Sequence, residues 1–226
     1  MVFYGKKYKN VKSLVEAEKK YPIAEAVALA KKVSYAKFGG SLNIAVKTFA
    51  DPKYNDQQIR STAVLPHGTG KTVRVAAFVS DDMMADAKKL GADIVGNAEI
   101  IKDIEAGKFD FDVMVTTPDM MRDLAKVAKA LGPKGLMPSP KAGTVTQDLA
   151  ATIDEVKKGR IEFRLDKTGN IHAGIGKISF TDEQLIENYT ALLNAISENK
   201  PAGIKGKLIK KVVVSPTMGP GVQVEA

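Results

Sequence analysis

The chain has 226 residues, of which 34 are basic and 26 acidic, giving a formal net charge of +8 and an isoelectric point near 9.4. That length suits two domains better than one small core. The 44% hydrophobic and 27% charged content is globular, and the absence of cysteine excludes disulfides and thiolate metal sites and fits a reducing compartment.

The opening Gly5-Lys6-Lys7-Tyr8-Lys9 is basic and unpatterned and reads as a tail. No leader-like apolar stretch precedes it, and no later run approaches the ~20 apolar residues that span a bilayer. A helix is predicted over 22–33: Pro22 suits the first helical position, Ile23, Val27 and Ala30 share a face, and Lys31 and Lys32 suit the negative end of the dipole. Gly39-Gly40 then breaks the chain. Leu42, Ile44 and Val46 alternate with Asn43 and Lys47 as a half-buried strand, and 59–65 alternates again after a polar loop at 51–58.

From residue 68 the pattern changes. Apolar runs at 72–79, 92–95 and 112–116 alternate with helical stretches at 82–90, 97–106, 118–131 and 148–158, the signature of parallel strands joined by crossover helices. Asp81-Asp82 is read as capping the first of these helices. A Pro/Gly loop occupies 132–143. Beyond Gly159 paired strands return, at 161–165 and 171–178, joined by the turn signal Lys167-Thr168-Gly169-Asn170. Gly174 and Gly176 predict a flat patch open to another backbone. Thr181 with Gln184 is a capping box for a helix that buries Leu185, Tyr189, Leu192, Leu193 and Ile196. A strand follows at 207–214, and a Gly/Pro turn at 215–221.

Charge makes the same division. Residues 68–159 hold 13 basic and 14 acidic side chains, a net of −1, which leaves 21 and 12 in the flanks, a net of +9. Neither 67-residue flank makes a convincing core alone, and joining them favours burial. The reading is therefore α+β: a discontinuous antiparallel-sheet domain over 1–67 and 160–226, with an inserted parallel-sheet, Rossmann-like α/β domain over 68–159. Pro66, His67 and Gly68, with Lys158 and Gly159, are the paired crossings and the expected hinge.

Several motifs have plain alternatives. Gly68-Thr69-Gly70-Lys71-Thr72 resembles the end of a phosphate-binding loop, but Leu65 stands where that loop needs glycine, and a strand rather than a helix follows the lysine. Asp81-Asp82 lies where open α/β sheets bind ligands, yet Thr116-Thr117 stands where a third carboxylate would be needed for a metal. His67 and His172 are far apart and suggest no metal or catalytic set, and the paired methionines 83–84 and 120–121 read as core. Lys37-Phe38-Gly39-Gly40 places an aromatic beside a cation in a turn, suited to stacking an RNA base; the alternative is that Phe38 is core. The turn at 215–221 offers a hydroxyl and backbone groups suited to a shallow RNA groove, or is an ordinary turn. Arg160, Arg164, Lys167, Lys207, Lys210 and Lys211 supply charge, or simply a solvated face.

Longer motifs carry a resemblance. They are Ala36-Lys37-Phe38, Leu65-Pro66-His67-Gly68-Thr69-Gly70-Lys71, the run 131–145 beginning Leu131-Gly132-Pro133-Lys134-Gly135-Leu136-Met137, Gly159-Arg160-Ile161-Glu162-Phe163-Arg164, Asp166-Lys167-Thr168-Gly169-Asn170-Ile171-His172, and Thr217-Met218-Gly219-Pro220. In this order, over nearly the whole chain, they resemble the bacterial large-subunit ribosomal protein L-one, or stalk protein, family. The resemblance implies a structural, non-enzymatic protein without cofactors or metal. Its partners would be the stalk region of large-subunit ribosomal RNA, exit-site tRNA whose release it aids, and its own messenger RNA as a repressed target. It would be located in the cytoplasm on the ribosome, with no membrane partner, and monomeric when free. The family's RNA-contact motifs fall on Lys37, Phe38, Ser41, Thr217, Met218 and Gly219, with Ser41 where the family often has threonine. Arg164, Lys167, His172 and Glu25 are further contacts or supports. Two other readings stay open on the residues alone: a nucleotide-binding switch centred on the insert, and a generic basic interaction protein.

Overall fold

The computed structural model describes residues 5–16, 19–201, 203–204 and 206–225. The chain forms two compact units, Met1–Gly70 with Ile161–Ala226, and Lys71–Arg160. The boundaries thus fall at Gly70/Lys71 and Arg160/Ile161, slightly past those expected from composition.

The first unit opens with α1 (Lys6–Lys12), which buries none of its side chains; the expected structureless tail is a short exposed helix. Helix α2 (Ile23–Lys32) buries Ala26, Val27 and Ala30. Strand β1 (Ser41–Thr48) alternates strictly, with Leu42, Ile44, Val46 and Thr48 buried. The short β2 (Arg60–Val64) follows.

The second unit contains β3 (Val75–Phe78), α3 (Met84–Lys89), β4 (Ile94–Gly96), α4 (Ala98–Glu105), β5 (Val113–Thr116), α5 (Met121–Leu124), α6 (Ala128–Leu131) and α7 (Leu149–Lys158). Its three strands are parallel in the order β4-β3-β5. All four β3 residues are buried, because both sheet faces are covered, as parallel sheets require. Ala76, Phe78 and Met114 pack on one side with Ile100, Ile104 and Leu124. Val75, Ala77 and Val115 pack on the other with Ala87, Ile153 and Val156.

Two expectations change here. The helix expected over 118–131 is divided by a 3₁₀ turn at Ala125–Val127, and the tighter turn keeps Leu124, Val127 and Leu131 in one cluster. Neither Asp81 nor Asp82 caps a helix: both lie in a 3₁₀ turn preceded by Ser80 and make no side-chain capping bond. The paired methionines pack partly buried against the two clusters.

The chain re-enters the first unit through β6 (Arg160–Arg164), then β7 (Asn170–Lys177), α8 (Asp182–Glu198), β8 (Ile209–Pro216) and β9 (Val222–Val224). The main sheet runs β7-β1-β8-β9, and β2 and β6 form a separate ribbon carrying the Arg60–Glu162 ion pair at 2.5 Å. Every strand pair recorded in the main sheet is antiparallel. The core of this unit draws on both flanks: Leu42, Ile44 and Val46 meet Leu185, Leu192, Val212 and Val214. Each such fully buried aliphatic side chain contributes about 1.5–3 kcal/mol, so neither flank could keep this core without the other.

Helix α8 starts with the predicted capping box, Thr181 accepting from the Gln184 amide N–H while the Gln184 side chain accepts from the Thr181 N–H. Lys31 of α2 reaches Asp182 in its first turn at 2.5 Å. Gly176 does not form an open patch. Its φ of 152° accompanies a bulge opposite Leu42/Asn43, and a Cβ there would lie 2.9 Å from the Phe180 ring.

Candidate nucleic-acid interface

Helices α2 and α8 cover the Leu42/Ile44/Val46 face of the main sheet. The opposite face of β1 holds Ser41, Asn43, Ala45 and Lys47, none fully buried. Directly paired residues in an antiparallel sheet share a face. Gly174 and His172 opposite Asn43 and Ala45 therefore belong to this polar side, as do Ser215, Val213 and Lys211 opposite Asn43, Ala45 and Lys47.

One end of that face is closed by two chain segments tied together. The Thr217 amide donates to the Ser41 carbonyl at 2.9 Å. The Thr217 hydroxyl accepts from the Ser41 amide at 2.9 Å and donates back to the Ser41 carbonyl at 3.0 Å. Gly40 packs beneath this lock: a Cβ there would lie 2.9 Å from Ile178 Cδ1 and 3.4 Å from Thr217 Cβ. The turn hydroxyl read as available from the sequence is therefore spent on Ser41.

Above the lock stand two large exposed side chains, Phe38 at 59% and Met218 at 61% of their full accessibility. That exposure removes the core reading of Phe38. Lys37 beside it is also exposed. Met218 has φ 65°, the only positive φ of a non-glycine residue among the described residues. Gly219 is required sterically, since a Cβ there would fall 2.5 Å from Pro216 Cγ. The Ser41–Thr217 bonds thus bring the segment that carries Lys37 and Phe38 beside the turn that carries Met218 and Gly219.

Arg164, Lys167 and His172 lie elsewhere. His172 sits on the edge strand β7 opposite Ala45, with its Nε2 3.4 Å from Asp166 Oδ2. Arg164 ends β6, and Lys167 lies in the turn before β7, near the Lys47 end of β1. That turn is rigid. Asp166 accepts from the amides of Asn170 and Thr168, each at 2.8 Å, and from the Thr168 hydroxyl at 2.8 Å. The Asn170 amide bond leads these contacts in holding its carboxyl well below the usual carboxylate range, against an opposing effect of burial.

The expected hinge residues Pro66, His67 and Gly68 belong to the first unit. The fully buried Asn188 of α8 accepts from the His67 amide and donates to the Gly68 and Ile175 carbonyls at 3.0 and 2.8 Å. His67 Nε2 also meets Glu187 at 2.5 Å. Lys158 and Gly159 end α7 in the second unit, Gly159 capping it at φ 107°. Among the described residues no group of three or more His, Asp or Glu side chains gathers as a metal site, and no helix is long and apolar enough to cross a membrane. Sequence reasoning passed over Asn188 and the exposed Phe49; a lone Asn on an otherwise apolar helix face was the available signal for the first.

An open antiparallel sheet, edged by a cation, an aromatic and a locked turn, and interrupted by a covered parallel α/β unit, defines a two-unit α+β protein suited to a structured polyanion. Residues 30–220 match the family model described as ribosomal protein L1p/L10e, and the chain belongs to that family. It is a ribosomal protein that binds ribosomal RNA of the large subunit.

Proposed function

We propose that the first unit binds the mobile stalk region of large-subunit ribosomal RNA through the surface formed by Lys37, Phe38, Ser41, Thr217, Met218 and Gly219. The observation that carries this reading is the pair of exposed apolar side chains, Phe38 and Met218, on segments locked through Ser41 and Thr217. Phe38 offers a face for a base. The turn presents Met218 to the shallow minor groove, and Lys37 meets phosphate. Thr217 acts as a positioning residue and Gly219 permits the turn. His172 on the open sheet face, with Arg164 and Lys167 towards its far end, extends the contact along the RNA.

The same surface accounts for a repressor role. A messenger RNA that folds into a similar helix competes for it, so free protein silences its own message only when ribosomal RNA is saturated. Aid to release of deacylated tRNA from the exit site is the third part of this proposal: the protein moves with the stalk it holds. Bending between the units belongs to the stretches around Gly70/Lys71 and Arg160/Ile161, where the chain crosses.

The test is competition. A stalk RNA fragment should displace labelled stalk RNA from the full chain at concentrations at least about a hundredfold below those needed for bulk duplex RNA, the separation expected of specific recognition over phosphate contact alone. Equal displacement by the two would reduce the protein to a general basic binder. A reporter carrying the chain's own leader sequence, repressed by the protein and relieved by stalk RNA, tests the second role.

A further inference from the structure

The far end of the main sheet carries a feature that the site above does not use. Among the described residues, the ordered pairing of β1 with β8 slips between Lys47 and Thr48: Lys47 faces Lys211 and Thr48 faces Ile209, so Lys210 is the extra residue of a bulge. In a regular strand Lys210 and Lys211 would point to opposite faces. Here both are exposed and both line one cavity of about 530 Å³, together with Lys20, Lys200 and Lys207. Bulges commonly re-aim side chains in this way. None of the five lysines forms an ion pair among the described residues, and no Asp or Glu lines the cavity.

The wall of this cavity is Phe49, 57% exposed. Its backbone is not free to retract: its amide donates to the Leu208 carbonyl at 2.9 Å, and the neighbouring Thr48 hydroxyl donates to the Gly169 carbonyl at 2.9 Å. Lys210 Nζ stands 5.5 Å from the ring centroid. The ring and Lys207 also border a second opening of about 490 Å³. A pinned, solvent-facing aromatic beside several unneutralised ammonium groups combines the two elements of single-stranded nucleic-acid sites, a stacking platform and a phosphate-attracting groove. The volume falls within the range of small-ligand pockets.

We propose that this cavity is a second RNA contact, which takes an unpaired nucleotide with its base on Phe49 and its flanking phosphates at Lys207, Lys210 and Lys211. It lies at the opposite end of β1 from Ser41, about 25 Å away for eight residues of extended strand. It therefore engages an RNA segment beyond the one at Phe38 and Met218, at the end of the sheet that also carries the Lys167 turn.

The experiment uses the full chain and a fluorescent oligouridylate of about twelve nucleotides, within the span of known single-strand sites. Phe49→Ala and the pair Lys210→Gln/Lys211→Gln are each expected to weaken binding about tenfold, and Phe49→Tyr to retain it. The lysine pair should also flatten the salt dependence. Met218→Asp should leave oligouridylate binding unchanged, which separates this site from the stalk surface. All four positions are exposed, and unaltered thermal midpoints will confirm folding. Wild-type affinity in both Phe49→Ala and the lysine pair would overturn the proposal. So would saturation of the cavity by inorganic phosphate alone with Phe49→Ala without effect, which would mark a simple anion site.

Discussion

Met218 holds a left-handed backbone without being glycine, a conformation that costs a bulky residue of order 1 kcal/mol. The turn is fixed at both sides, by the Thr217–Ser41 lock and by the Gly219 amide donating to Pro216 at 3.0 Å. Such a residue, 61% exposed, is held for its outward side chain rather than for packing. Met218→Asp places a carboxylate where the proposed interface meets phosphate. It is expected to weaken stalk RNA binding at least tenfold with little change in thermal midpoint, as measured by fluorescence anisotropy and calorimetry; full affinity would remove the turn from the interface. Asp166 makes a pH prediction. Its folded-state carboxyl titrates below the unfolded value of about 3.9. The stability it adds is therefore fully present above about pH 4 and is lost as pH falls further. Urea midpoints for wild type and Asp166→Ala should differ at pH 7, and the difference should narrow progressively as pH falls below about 4.

At the scale of elements, α8 governs the first unit. Its apolar stripe, Leu185, Tyr189, Leu192 and Ile196, fills the core, and Asn188 on the same helix ties down the chain leading to the insert. Asn188→Ala strands a buried carbonyl at Ile175 and frees His67 and Gly68. A loss of about 3 kcal/mol is expected by chemical denaturation, from several hydrogen bonds lost and a buried acceptor left unpaired. Amide exchange at residues 67–70 should rise well before that of β1. Tyr189 behaves in the opposite sense. Its hydroxyl is buried without a partner among the described residues, and burial pushes its pKa up to about 12. Tyr189→Phe should therefore be neutral or stabilising by up to about 1 kcal/mol, and a clear loss of stability would reveal a hydrogen bond to that oxygen.

Across the whole molecule, charge follows architecture. Residues 71–160 hold 14 basic and 14 acidic side chains, so the entire net charge of +8 rests on the unit formed by the two flanks, with 20 basic and 12 acidic. Replacing 71–160 by a short glycine linker should leave stalk RNA affinity within about threefold of the full chain. The slope of log affinity against log salt should also be kept, because it counts neutralised phosphates. If the excised protein shows native-like circular dichroism and yet binds no stalk RNA, the insert takes part directly and the assignment to the first unit fails.

Periodicity made much of this legible in advance. Strict alternation in 42–46 and 161–165 marked strands with one apolar side, the turn signal at 167–170 marked the partner strand after it, and Thr181 with Gln184 marked the start of α8, because capping, turns and alternation depend on neighbours along the chain. The change from paired strands to alternating strand and helix located the insert for the same reason. Lys37, Phe38 and the turn at 215–221 could be singled out as residue types.

By itself the amino-acid order determined the element types, the interruption and the placement of charge, since propensity, hydrophobic period and formal charge are local properties. Only the tertiary structure decided that Phe38 is exposed, that the Thr217 hydroxyl belongs to Ser41, and that a bulge lets Lys210 and Lys211 line one cavity with Phe49. These outcomes depend on strand register and on contacts between residues more than a hundred positions apart, which no window along the chain contains.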